Sequence, residues 1–287
     1  MNPTHYFTIL LFFFLTTGCT PEFDFGDIDF EPQIIVEGWI ENGGVAHVCL
    51  TQSLTLNMDT EDTNMANIPI RWAKVTVSDG IEEEILTGRK DSRYTPPFIY
   101  QGNRIKGEVG KTYSLKVEYS GRVITASTII PPVVPIRQIS VTPCSENDTL
   151  YQIEATFKDD PTQTDFYKAF CQVIPDETRF YASFMGTVSD EVLHNHEARL
   201  QINKGMRYTK LGKYTPYYSL NDTALIKLTH LPEEGFRFWS DYENEIINGK
   251  NPLFPSNTNL STNIHGGKGI WCGYGVDTRL VVIKDSI

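Results

Sequence analysis

Apolar and polar positions alternate along much of the chain, as in Ile34-x-Val36, Val75-x-Val77 and Tyr113-x-Leu115-x-Val117-x-Tyr119. A period of two puts successive side chains on opposite faces, the signature of a half-buried strand. The alternation predicts strands over Gln33–Ile40, Val45–Gln52, Arg71–Ser78, Glu83–Thr87, Thr112–Tyr119 and Arg122–Ser127, with Gly, Asn and Asp punctuating the gaps. Strands this short and closely spaced imply an immunoglobulin-like β-sandwich over residues 33–131. Gly110-Lys-Thr-Tyr113, entering an alternating strand, resembles the tyrosine corner of such folds, in which a phenol bonds backbone at a sheet corner.

Pro131-Pro132 and Pro135 stop this pattern, because proline offers no ladder N–H and restricts the residue before it. A second β-rich domain is expected over 132–287, with strands near Arg137–Thr142, Tyr151–Lys158, Tyr167–Val173, Arg179–Val188 and Ala224–Leu231. The period changes after Pro232. Phe236, Trp239, Tyr242 and Ile246 recur at helical spacing, Glu233 and Glu234 complement the N-terminal dipole, and Gly249 suits the position just past the end. These signals predict one amphipathic helix over 233–248. Ile270–Cys272 and Leu280–Ile283 read as closing strands. The expected fold class is therefore mainly β: an immunoglobulin-like sandwich followed by a β-rich domain with a single helix.

The first residues follow another logic. Phe7–Leu15 is apolar except for Thr8, the length of a signal-peptide core and too short to cross about 30 Å of bilayer hydrocarbon. Leu15-Thr16-Thr17-Gly18-Cys19 then resembles a lipobox, in which the cysteine thiol takes a diacylglyceryl group before cleavage. The expected processing is a signal peptide over 1–18, lipid on Cys19 and a tether over 19–32. Each buried methylene adds about 0.8 kcal/mol, so two or more acyl chains would hold the protein to a membrane. Glu22, Asp24, Asp27, Asp29 and Glu31 make the tether acidic. It reads either as a solvated linker or as the export signal that follows the lipidated cysteine in surface lipoproteins of the Bacteroidota.

Composition narrows the partners. The 287-residue chain has 40% hydrophobic residues, enough to bury a core, and a formal net charge of -11. An acidic protein without clustered Lys and Arg has no sequence-independent grip on phosphates, so nucleic acid is excluded as a partner. Beyond Cys19 the cysteines are Cys49, Cys144, Cys171 and Cys272, none in a Cys-x-x-Cys pair. Buried free thiols are expected; if one bridge exists, Cys171 with Cys272 is the pairing chosen.

One stretch reverses the charge. From Ala198 to Asn221 there is no acidic residue, while Arg207, Tyr208, Lys210, Lys213, Tyr214, Tyr217 and Tyr218 gather cations and phenols. Tyr and Arg combine contact area with polar tips, so these residues are the candidate docking or ligand surface; the alternative is a solvated hairpin. His194-Asn-His196 could share a metal if extended, but no third ligand is identifiable and no metal or cofactor is expected. Asp59, Glu61, Asp62 and Asn64 lack the glycine and terminal glutamate of an EF-hand and read as a polar loop. His265-Gly-Gly-Lys-Gly269 has neither a Gly-x-Ser-x-Gly elbow to accompany it nor a P-loop ending, so its glycines read as turn formers. Trp39, Trp72, Trp239 and Trp271 are expected in cores or at a domain interface.

Taken together, the lipobox, the acidic tether, Ile35-Val-Glu-Gly-Trp39, Pro131-Pro132-x-x-Pro135 and the tail Asn251-Pro-Leu-Phe254, Asn263-Ile, Gly266-Gly-Lys-Gly269 and Gly273-Tyr-Gly275 resemble a Bacteroidota lipoprotein family. That family is domain of unknown function forty-two forty-nine, and the resemblance runs from Ile34 to Val282. Its members are typically encoded beside TonB-dependent outer-membrane receptors, and no catalytic residues are established for it. The resemblance implies an outer-membrane lipoprotein facing the cell exterior, not an enzyme, acting as an accessory or ligand-capture partner of such a receptor. The alternative is a structural or adhesive surface lipoprotein.

Overall fold

In the computed structural model the described residues are 31–53, 68–144, 147–160, 162–192, 197–205, 214–248 and 259–284. Their strands are, in chain order, β1 (Ile34–Glu41), β2 (Val45–Gln52), β3 (Lys74–Ser78), β4 (Glu83–Ile85), β5 (Thr87–Lys90), β6 (Phe98–Lys106), β7 (Thr112–Tyr119), β8 (Arg122–Ile129), β9 (Ile136–Cys144), β10 (Asn147–Lys158), β11 (Phe166–Ile174), β12 (Tyr181–Ser189), β13 (Glu197–Ile202), β14 (Tyr218–Ser219), β15 (Thr223–Leu231) and β16 (Lys268–Val282). Helix α1 spans Glu233–Asn248, the range predicted from its period. The chain is mainly β, as its alternation implies.

One long sheet organises everything. Its order is β12-β11-β15-β16-β1-β2-β6-β5, and β16 lies parallel to β1 while the other neighbours run antiparallel. Two four-stranded sheets accompany it: β4-β3-β7-β8, and β13-β10-β14 with β9 on β10. The first core, including Val36, Ile40, Leu50, Val75, Leu115, Val117 and Ile124, draws on β1, β2, β3, β7 and β8. The second, including Ile153, Phe157, Tyr167, Val173, Ile226 and Leu228, draws on β10, β11 and β15. Fully burying such side chains contributes about 1.5–3 kcal/mol each.

Strand β16 feeds both cores. Trp271 is fully buried in the first, its indole N–H donating to the Tyr113 carbonyl at 2.9 Å, and Val281 and Ile283 enter the second. Gly38 lies beside Trp271 in the parallel register, and a Cβ there would meet the indole at 2.8 Å. The expected pair of closing strands is in fact this single strand. Gly273 and Gly275, which punctuate the sequence like turn residues, stay within it because the connection between the cores crosses directly over them. A Cβ at Gly273 would sit 2.2 Å from the Ile129 carbonyl oxygen, and one at Gly275 2.4 Å from that of Pro131. Of the turn-forming glycines, Gly266 has φ +83°.

Two local devices tie the sheets. The Tyr113 hydroxyl accepts from Glu108 N–H at 2.8 Å and donates to the Lys106 carbonyl at 3.0 Å, so the predicted tyrosine corner is present. The buried Glu84 carboxylate on β4 accepts the backbone N–H groups of Asn103, Arg104 and Ile105, which holds β4 to β6. Strand β6 escapes the sequence alternation because Gly102-Asn103 interrupts it, and β13 was read only as part of a cationic span.

Helix α1 covers one end of the outer face of the long sheet, the face turned away from both cores. Phe236 stacks on Phe166 at 4.6 Å, Trp239 meets Phe170 edge-on at 5.4 Å, and the Trp239 N–H donates to the Tyr274 hydroxyl at 3.0 Å. Gly235 permits this approach, since a Cβ there would lie 2.6 Å from Cys272 Sγ. Beneath the helix the fully buried Lys168 pairs with Glu243 and donates to the Ser183 carbonyl at 3.0 Å.

Two expectations need correction. Trp72 is 89% exposed rather than packed, because it lies in the connection before β3, outside any patterned strand. Cys171 and Cys272 cannot bridge. Cys171 points into the second core and Cys272 lies under α1, on opposite faces of one sheet. Cys49, Cys144, Cys171 and Cys272 are all buried free thiols.

Candidate functional site

The outer face of the long sheet continues past α1, and there its side chains change character. In β1, Glu37, Trp39 and Glu41 take the positions opposite Val36 and Ile40 in the pleat. Cross-strand register sets His47 beside Trp39 and Cys49 beside Glu37. Trp39 stacks on His47 with ring centroids 5.1 Å apart and planes within 8°, and Tyr94, from the β5–β6 connection, lies 6.1 Å from Trp39.

The second half of the chain completes the cluster. The turn from β11 to β12 carries Arg179 and Phe180 to this surface, where Tyr181 opens β12. The Arg179 guanidinium sits 5.2 Å from the Tyr94 ring and 4.7 Å from the Tyr181 ring, a cation held against two aromatic rings. Lys227, from β15, pairs with Glu41 at 2.6 Å and lies 4.0 Å over Phe180. At the rim, Asp91 is clamped by Arg93 at 2.6 Å and reached by Arg89 at 3.6 Å.

The charges are unusual for a surface. Burial raises the Glu37 carboxyl above its ordinary range, with Arg179 partly offsetting this, although Glu37 remains accessible to solvent. Burial lowers His47, whose Nδ1 lies 3.0 Å from the Val45 carbonyl. A carbonyl only accepts, so Nδ1 carries the proton and the neutral ring offers Nε2 as acceptor. Burial also pushes the Cys49 thiol far up, so it is no nucleophile at neutral pH. The Asp91 carboxyl is held down at about 2, chiefly by its hydrogen bonds from Arg93.

Arg179 is the outlier. Its Nε is buried with no hydrogen-bond partner, and its guanidinium makes no ion pair with a carboxylate among the described residues. An unmet buried donor costs about 1–3 kcal/mol, more on a charged group. Aromatic rings against a half-buried guanidinium leave its N–H groups as the polar feature of this face. Among the described residues no three His, Cys, Asp or Glu side chains converge to hold a metal.

The cationic span chosen from sequence is described only in part. Arg207, Tyr208, Lys210 and Lys213 fall outside the described residues, as do His194, His196, Asp59, Glu61, Asp62, Asn64, Asn251–Phe254, the signal segment, Cys19 and the tether before Glu31. Tyr214 is 39% exposed and its hydroxyl donates to the Lys204 carbonyl at 2.6 Å. Tyr217 is half-buried. Tyr218 is fully buried in the second core, with the Lys204 ammonium 5.4 Å from its ring, so it presents nothing to a partner.

The outer-face cluster was missed because its members are far apart in sequence. Glu37-x-Trp39-x-Glu41 did show an unusual second phase, polar and aromatic, opposite the apolar one. Arg179 carried no local signal at all.

The family described as Domain of unknown function (DUF4249) matches residues 20–279. No curated protein matches the chain.

Proposed function

The chain belongs to the family described as Domain of unknown function (DUF4249), and from that premise we propose that it is a lipid-anchored outer-membrane protein facing the cell exterior. In this reading Cys19 carries the anchor, and the protein is a non-catalytic accessory or ligand-capture partner of a TonB-dependent nutrient receptor. The observation that supports it is the outer face of the long sheet, where the half-buried Trp39, Tyr94, Arg179 and Tyr181 form an aromatic and cationic cluster assembled from both halves of the chain. The lipobox resemblance and the acidic tether support the location. No described helix is long and apolar enough to cross a membrane.

The test is purification of the tagged, full-length gene product from native membranes in mild detergent. A β-barrel receptor should copurify in near-equal amount, and Cys19→Ala should release the protein from the membrane fraction. A lone monomer would overturn the receptor partnership. A deletion strain that grows normally on every nutrient yet loses adhesion would reassign the protein as a structural or adhesive surface component.

A further inference from the structure

Resting on the capture reading of the outer face, we infer that this face recognises the carboxylate group of its ligand, and that Arg179 is the residue that binds it. Three observations converge. The guanidinium is stacked against Tyr94 and Tyr181, which leaves recognition to its N–H edge. The guanidinium makes no ion pair among the described residues, and its buried Nε has no hydrogen-bond partner, so nothing described satisfies its charge. In a chain of net charge -11 the other cations on this face are already engaged: Lys227 by Glu41, and Arg93 and Arg89 by Asp91.

A planar guanidinium matches a planar carboxylate through two parallel N–H···O bonds, which an ammonium cannot reproduce. Trp39 and Tyr94 beside it offer an aromatic shelf for the part of the ligand attached to the carboxylate. Glu37, on the same face, opposes an incoming anion less than an ordinary glutamate would, because burial favours its neutral form. Two sources supply such a group: the uronate units of an acidic glycan, and the side chains or terminus of an acidic peptide.

The experiment is calorimetric titration of the mature lipidated protein in detergent with trigalacturonate and with triglutamate, each against its neutral counterpart, the methyl ester and triglutamine. At least one acidic probe should bind, with its neutral counterpart at least tenfold weaker; which acidic probe binds identifies the source. Arg179→Gln should weaken binding at least tenfold, and Arg179→Lys should recover only part of it. The circular dichroism and melting temperature of both variants should match the parent, because among the described residues the side chain makes no hydrogen bond whose loss would unfold the turn. Binding of neither acid, equal binding of acid and neutral probe, or less than a threefold loss in Arg179→Gln overturns the inference. Receptor copurification by Arg179→Gln separates the two readings: if it persists while anion binding is absent, only the ligand assignment fails.

Discussion

Glu243→Gln tests how helix α1 is held to the sheet. Lys168 is fully buried and Glu243 nearly so, with side-chain exposures of 1% and 12%. The carboxylate also accepts from Gly186 N–H at 2.9 Å, and the ammonium lies 5.2 Å from the Trp239 ring. Glutamine keeps an acceptor for Gly186 but removes the charge, leaving a buried ammonium without its counter-ion. Breaking a buried pair from one side costs about 3–5 kcal/mol. At about 2–4 °C per kcal/mol for a unit of this size, the melting temperature should fall by roughly 6–20 °C.

The deficit should also depend on pH. Burial lowers the Lys168 pKa and Glu243 counteracts that, so the variant's lysine titrates lower still. Below the folded pKa the lysine is charged in both states and the whole penalty applies. Between the folded pKa and the unfolded value of about 10.4, the unfolded chain binds more protons, so stability rises with pH. Above both values the penalty is gone. Replacing both partners, Lys168→Met with Glu243→Leu, should restore most of the loss and leave about 1–3 kcal/mol from the orphaned Gly186 N–H and Ser183 carbonyl. Differential scanning calorimetry from about pH 7 to about pH 11 reads all of this. A Glu243→Gln deficit under about 1 kcal/mol, or one unchanged across that range, would refute the reasoning.

Three further outcomes follow from named contacts. Tyr113→Phe should cost about 1–3 kcal/mol in urea unfolding, because Glu108 N–H and the Lys106 carbonyl lose their shared partner; an unchanged midpoint would remove the corner as a stabilising element. Gly273→Ala should destabilise by about 2–3 kcal/mol or fail to fold, since the new methyl meets the Ile129 carbonyl oxygen, whereas Gly80→Ala, with open space around it, should show only backbone strain. By carbon-detected NMR, Asp91 should titrate at about 2 and return towards about 3.9 in Arg93→Gln. Its pairing therefore stabilises the fold above pH ~4 and fades as pH falls towards the folded value; a low Asp91 pKa in the variant would show that Arg93 is not the cause.

Much of the fold was legible locally. Strands β2 and β7 and helix α1 have the predicted limits because their periods are uninterrupted, and Tyr113 could be assigned its corner from a four-residue pattern. Position within the sheet was not legible. Trp39 and Trp271 look alike in sequence, yet Trp271 is sealed in the first core while Trp39 sits half-buried on the outer face. Tyr214 and Tyr218 diverge in the same way: both were expected at the surface, yet Tyr214 is 39% exposed while Tyr218 is sealed in the second core.

The sequence alone determined most of the strand segments and where the helix begins and ends. These are properties of short windows, set by backbone geometry and side-chain chemistry within a few residues. Only the tertiary structure decided that β16 returns to pair with β1, more than two hundred residues earlier in the chain. That pairing joins the two cores in one sheet, threads the linker over Gly273 and Gly275, and brings Arg179 to Tyr94 and Trp39. No local pattern encodes it, because the free energy that selects it comes from burying Trp271, Val281 and Ile283 in two cores at once.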